Sequence, residues 1–352
     1  MTFLYILFAI LIFGVLIAVH EFGHFAAAKL CGVKVVEFSI GMGPAFFKRQ
    51  KGETLYALRA IPMGGFCAME GEDEASDDPR SFTSQSAWKR VLILVAGSFM
   101  NFLLGFIVVL GLYMPAVAFN APVLADFMPD CPYEGEEAFQ KGDRILSIDG
   151  RKVRQYSDVA EFISAGDGVY DIVVLRGGDK VELSDFELVP LEYEGQERKM
   201  LGFYFGRDEG TFVNKIKYSW YTTLDFCSMV WDGLRELVSG NVAMQDMAGA
   251  VGIVDMMAET GEKSASFSDA ISNILFLGAL IAVNLAIMNM LPIPALDGGR
   301  VFFLLVSWII EKIIGRRLDP KYEGYVHAAG MVLLLGLMAV IMYNDIVRIV
   351  TR

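Results

Sequence analysis

Four long runs almost free of charge constrain this chain more than any other feature. Each is long enough to cross a lipid bilayer and too apolar for an ordinary surface helix. Phe3 to Val19 holds 17 uncharged residues, about 26 Å as a helix and close to one hydrocarbon core. Val91 to Ala118 is the second run, interrupted by Ser98 and Asn101 before Pro115. Ile271 to Leu296 is the third, carrying Asn284 and Asn289, and Val326 to Tyr343 is the fourth. No basic residue precedes Phe3 and the first lysine is Lys29, so the first run reads as a retained span and not as a signal peptide. The expectation is a polytopic α-helical membrane protein with four transmembrane helices.

The remaining composition places the other parts. Residues 116–270 carry 28 Asp and Glu against 14 Lys and Arg, an acidic excess that outweighs the formal charge of −12 of the whole chain. That balance excludes a nucleic-acid binder, which needs a basic face. The four cysteines (Cys31, Cys67, Cys131 and Cys227) form no C-x-x-C pair, so neither a thiolate zinc site nor a disulfide framework is expected. Basic residues cluster in the short loops 27–90 and 297–325, among them Lys48, Arg49, Lys51, Arg316 and Arg317. Such loops read as cytoplasmic. Both termini and the acidic middle then lie outside the cytoplasm, in a multi-pass protein of the inner (plasma) membrane, with the lipid bilayer as a partner.

The first run leads directly into His20-Glu21-Phe22-Gly23-His24. Positions i and i+4 share a helix face, so both imidazoles can reach one Zn²⁺. Glu21 beside them is placed to take a proton from the attacking water. Ionisable groups at the end of an apolar helix cost several kcal/mol and are functional by default. A catalytic zinc needs a third protein ligand and one open position. His327, the remaining histidine, stands alone at the start of the fourth run and reads as interfacial. Asp297, in Leu296-Asp297-Gly298-Gly299-Arg300 at the same end of the third run, is the better candidate. An N-cap or turn aspartate before the Gly pair is the ordinary alternative. Just upstream, Pro292 and Pro294 break the helix at membrane depth, which is tolerated where backbone lines protein or a hydrated cavity.

Together these motifs resemble the site-2 protease family of intramembrane zinc proteases, in the bacterial branch of RseP-like and RasP-like proteins. H-E-F-G-H and N-x-x-P-x-P-x-L-D-G stand at opposite ends of the chain, and the likeness covers nearly all of it. The resemblance implies a zinc metalloendopeptidase with His20, His24 and Asp297 as metal ligands and Glu21 as general base. It implies that Asn289, Pro292 and Pro294 shape a substrate cleft. The stretches around Gly41 and Gly43 and around Gly64 and Gly65 would form a membrane-associated β-hairpin or re-entrant loop that presents an edge to unwound substrate. Ordinary turns are the plain alternative for those glycines. The implied activity is regulated intramembrane proteolysis of single-span proteins such as anti-sigma factors, or of signal-peptide remnants. Ser98 and Ala250 stand where relatives usually have proline. A scaffold with a vestigial zinc site and a zinc transporter are the competing classes. Intact Glu21 argues against the first, and the interiors of runs two and four, which carry no ionisable residues, argue against the second.

Between the runs, the stretch Phe139 to Gly150 has alternating apolar residues after a Gly-Asp turn and then an Asp-Gly turn, as a strand entering a tight connection does. Asp158 to Ser164 fits a short amphipathic helix, and Tyr170 to Leu175 fits another strand before Arg176-Gly177-Gly178-Asp179. This segment resembles one PDZ domain, inserted outside the cytoplasm, with an inert β-rich spacer as the alternative. The expected organisation is a first half of the membrane core over 1–118, the PDZ-like domain over 120–205, amphipathic membrane-surface helices over 206–270 and the second half of the core over 271–352.

Overall fold

Helix α1 (Thr2–Cys31) does not stop at the histidine motif but carries it through its last turns. A long hairpin of strands β1 (Val35–Lys51) and β2 (Thr54–Met69) follows, then α2 (Ala87–Tyr113). Strands β3 (Ala118–Phe127), β4 (Arg144–Ile148) and β5 (Arg151–Lys152) precede α3 (Tyr156–Ala165), β6 (Val169–Arg176), β7 (Asp179–Glu187) and β8 (Phe203–Glu209). The chain closes with α4 (Phe212–Ser239), α5 (Ala250–Lys263), α6 (Phe267–Asn289), α7 (Asp297–Ile314) and α8 (Pro320–Val350). This computed structural model describes residues 2–72, 76–193, 198–240, 248–314 and 320–351. The side chain of His327 lies outside those described. The chain divides into two units, Met1–Leu112 with Thr223–Arg352, and Tyr113–Thr222.

In the first unit, α1, α2, α6 and the stretch Gly324–Val350 of α8 are long and apolar enough to cross a membrane. Small residues let these helices approach closely, as apolar surroundings favour. A side-chain carbon at Gly23 would sit 2.4 Å from the Ala96 carbonyl oxygen, so α1 and α2 touch at that glycine. Gly105 of α2 is held against Val283 and Ala279 of α6 in the same way. Tyr5, Ala9 and Leu16 of α1 pack with Met257 and Ala258 of α5 and with Ile274 and Ala282 of α6. Helix α5 has no side-chain cap of its own. Buried Asp345 of α8 supplies one, accepting from the Gly249 and Gly252 amides at 3.0 and 2.8 Å.

The β1–β2 hairpin folds back on itself. Its antiparallel register runs from Val35↔Met69 to Lys51↔Thr54, yet residues 37–40 also partner residues 55–58, with both numbers rising together. The left-handed backbone at Gly41 (φ 86°) and Gly64 (φ 88°) makes the necessary bends. Four short strands therefore lie side by side in the order 47–51, 54–58, 37–40, 65–69. Arg59 fastens the fold by donating to Ser39 Oγ and Glu37 Oε1, both at 2.6 Å, and to the Gly43 carbonyl at 2.7 Å.

The third apolar run differs from its sequence reading in one respect. Helix α6 ends at Asn289, and the loop expected after Leu296 opens with helix α7. Pro292 and Pro294 explain the break, because proline lacks an N–H and biases its predecessor away from helix. Asp297 is thus the first residue of a new helix and not the last of a span. Along α7, Phe302, Leu305, Trp308, Ile309 and Ile313 form an exposed apolar face, a pattern suited to a membrane interface.

The second unit is a sheet in the order β7-β6-β4-β3-β8, with β5 added to β4. In β6 the alternation expected of a half-buried strand is present, with Tyr170, Ile172 and Val174 inward. They pack with Leu124, Phe139, Ile145 and Ile148, and with Val159 and Ile163 of α3. Asp158 starts α3 by accepting from the Arg154 and Gln155 amides at 2.6 and 3.1 Å. Asp143, wholly buried, is gripped by both ends of the Arg176 guanidinium at 2.9 and 2.7 Å. Arg176→Met leaves that carboxylate unpaired and is expected to destabilise the unit by about 3 kcal/mol. Thermal unfolding of the full chain reads this out, and an unchanged transition for the unit would refute it.

Candidate metal centre

The helical spacing of His20 and His24 puts both rings on the face of α1 that packs against α2, and both are buried. Their Nε2 atoms stand 3.1 Å apart. Asp297, offered by the first turn of α7, brings its Oδ2 to 3.1 Å from His20 Nε2 and 3.3 Å from His24 Nε2. That oxygen is buried yet makes no well-formed hydrogen bond among the described residues. Ligands bonded to zinc at ~2.0–2.1 Å in a tetrahedron lie about 3.3 Å from one another. The three atoms therefore converge on one point at the separation a zinc ion requires, and the donor set, two imidazoles and a carboxylate, suits it. His24 Nδ1 lies 2.8 Å from the Ile93 carbonyl, an acceptor only. The ring proton must sit on Nδ1, which leaves Nε2 bare and aimed at the shared point.

Close backbone approaches hold this arrangement. A side-chain carbon at Gly298 would meet the Met290 carbonyl carbon at 2.2 Å, and one at Gly299 the Ile293 oxygen at 2.2 Å. The loop 290–296 thus lies flat against the start of α7, which is the structural need behind Asp297-Gly298-Gly299. Arg300 is paired with Glu72 beyond the end of β2, tying the same turn to the sheet. Gly298→Ala is expected to push Asp297 off the shared point and weaken zinc binding by about tenfold or more. Chelator competition on the purified protein checks this, and unaltered affinity would contradict it.

Glu21 follows His20 on α1, and its Cγ would be 3.3 Å from a side-chain carbon at Gly65, so Glu21 lies close against the sheet at that glycine. Strand residues 65–68 pair with 37–40 on one side and have no further strand neighbour among the described residues. Gly41 and Gly43 sit at the bends and Gly64 at the turn into that edge, so of the four sequence-flagged glycines Gly65 alone is against Glu21. Asn289 and Met290 close α6, Pro292 is exposed, and Pro294 packs against Gly330 of α8. Two residues that motif reading passed over lie at the rings themselves. A side-chain carbon at Gly97 would be 2.4 Å from His24 Nε2, and Asn101 Nδ2 is 3.4 Å from His20 Nδ1. The polar interruption of an otherwise apolar run was the available signal for Asn101.

The pattern of peptidase family M50 matches residues 8–337. A Clostridium perfringens protein, whose name describes it as a zinc metalloprotease, is 36% identical over 98% of this chain and 99% of its own length. The chain belongs to peptidase family M50, the site-2 protease family. The zinc metalloprotease RasP of Oceanobacillus iheyensis is 30% identical to this M50 protease, covering 97% of this chain and 98% of its own. The regulator of sigma-W protease RasP of Bacillus subtilis is 28% identical, with 97% of each chain covered. The M50 protease is accordingly a zinc metalloprotease of the membrane, as its motifs led one to expect.

Proposed function

We propose that this M50 protease cuts single-span membrane proteins, such as anti-sigma factors or signal-peptide remnants, within or beside the bilayer. The convergence of His20 Nε2, His24 Nε2 and Asp297 Oδ2 within 3.1–3.3 Å on apolar helices carries the reading. The name of the Bacillus subtilis relative, regulator of sigma-W protease, supports the substrate class.

His20, His24 and Asp297 would hold the zinc. When bound, zinc would supply Lewis-acid polarisation of the scissile carbonyl and activation of water near neutral pH. The Glu21 carboxylate takes the proton of the attacking water and passes it to the leaving amide nitrogen. A helical substrate hides its carbonyls, and unwinding it in an apolar setting costs several kcal/mol per unpaired group. The strand edge 65–68 offers replacement backbone partners alongside Glu21, in the manner of strand addition. Asn289 adds a donor and an acceptor, and the Pro292 and Pro294 break opens the cleft beside Asp297. Segment 120–205, read as a PDZ-like domain outside the cytoplasm, restricts which substrates reach the centre, while helix α4, which follows the sheet, lies along the membrane surface. The centre faces the cytoplasmic side.

The test uses proteoliposomes holding the enzyme and a single-span substrate, with products mapped by mass. Cleavage inside the apolar segment, lost on zinc chelation and in Asp297→Ala, is expected. Cleavage that survives Asp297→Ala, or cuts confined to the aqueous domains, would overturn the reading.

A further inference from the structure

We propose that Asn101 is a positioning residue for the metal centre, accepting the Nδ1 proton of His20 and thereby turning Nε2 of that ring toward the ion. The inference rests on His20 being a zinc ligand.

A ligating imidazole uses one nitrogen for the metal and needs an acceptor for the proton on the other. For His24 the Ile93 carbonyl fills that role at 2.8 Å. For His20 the group facing Nδ1 is the amide of Asn101, at 3.4 Å, on the α2 turn after Gly97. Asn101 is 1% exposed, and its Oδ1 is buried without a hydrogen-bond partner among the described residues. With Nδ2 toward the ring, the amide donates to Nδ1, which then has no proton. The proton is forced onto Nε2, where it points at His24 and Asp297 and blocks coordination. An amide has nearly the same shape when its oxygen and nitrogen change places. Turning it costs no packing, gives Oδ1 the Nδ1–H as partner and frees Nε2 for the metal. A polar side chain buried in an apolar bundle is expensive unless paired, and this pairing explains why the second span carries an asparagine there. The two rings are thus oriented by different means, His24 by backbone and His20 by one replaceable side chain.

The test compares the full-length enzyme with Asn101→Leu, which has similar volume and no acceptor, and Asn101→Asp, which keeps an oxygen toward the ring. Zinc affinity is read by chelator competition, folding by thermal melting, and the His20 proton by ¹⁵N imidazole resonances of the zinc-loaded protein. With three histidines in the chain the resonances are assignable by single substitutions. The expected result is a 10- to 100-fold weaker zinc affinity in a folded Asn101→Leu protein. In Asn101→Asp, affinity is kept and the His20 Nδ1–H resonance shifts while that of His24 stays. Zinc held within about threefold of wild type by folded Asn101→Leu would overturn the proposal. If Asn101→Leu does not fold, an unmoved His20 Nδ1 resonance in Asn101→Asp overturns it equally. A His20→Ala control separates the two readings: zinc retained there would sink the ligand assignment itself, whereas zinc lost there but kept in Asn101→Leu sinks only the role of Asn101.

Discussion

Glu21→Gln is expected to slow peptide-bond hydrolysis by about 100- to 10,000-fold while leaving one zinc bound per chain. Gln has the shape of Glu and keeps the contact with Gly65, so α1 and the sheet have no cause to move. The three converging atoms belong to other residues, and zinc affinity should stay near wild type. What is lost is the ability to take a proton from water and return it to the departing nitrogen, the step a general base contributes. Single-turnover cleavage in proteoliposomes, alongside metal content, measures both halves of the statement. Hydrolysis within tenfold of wild type would show that another group acts as the base. Loss of zinc would show that Glu21 supports the metal centre directly.

Gly97→Ala is expected to empty the metal centre, with zinc affinity falling on the order of 100-fold or more, although Gly97 offers no ligand. The added carbon would stand 2.4 Å from His24 Nε2, 2.7 Å from His24 Cε1 and 2.8 Å from His20 Cε1. Non-bonded carbon contacts settle near 3.5–4.0 Å. Both rings must therefore swing away, or α2 must back off from α1, and Gly23 against Ala96 shows how little slack that crossing has. Gly111, further along the same helix with open space around it, supplies the control. Gly111→Ala should bind zinc as wild type does. Equal zinc binding by both variants would mean that the α1–α2 spacing does not govern the centre.

The elements legible from sequence were those whose signal is local. The strand within Phe139–Gly150, the helix around Asp158 and the strand through Tyr170 each announce themselves by period and by bounding turns, and each is present. The hairpin was legible as glycine-bent strand, but not the second partnership of residues 37–40 with 55–58. That pairing depends on where two distant bends bring the backbone, which no window of alternating residues records. In the sequence, Asp297 stands at the end of the third run, at the depth of the two histidines. The structure reaches the same depth by another path, ending α6 at Asn289 and restarting the chain as α7 with Asp297 in its first turn.

Sequence by itself determined the four helices that, among the described residues, are apolar enough to cross a membrane, because the cost of burying charge in lipid is paid residue by residue along each run. It determined that His20 and His24 share a face, because 3.6 residues per turn allow nothing else for a pair four apart. Tertiary structure alone decided what meets them: Asp297 from 273 residues beyond His24, the Ile93 carbonyl, Gly97 and Asn101. The reason is that ligand convergence is set by how closely α1, α2 and the start of α7 can pack. That distance is fixed by glycines whose sole contribution is the side chain they lack.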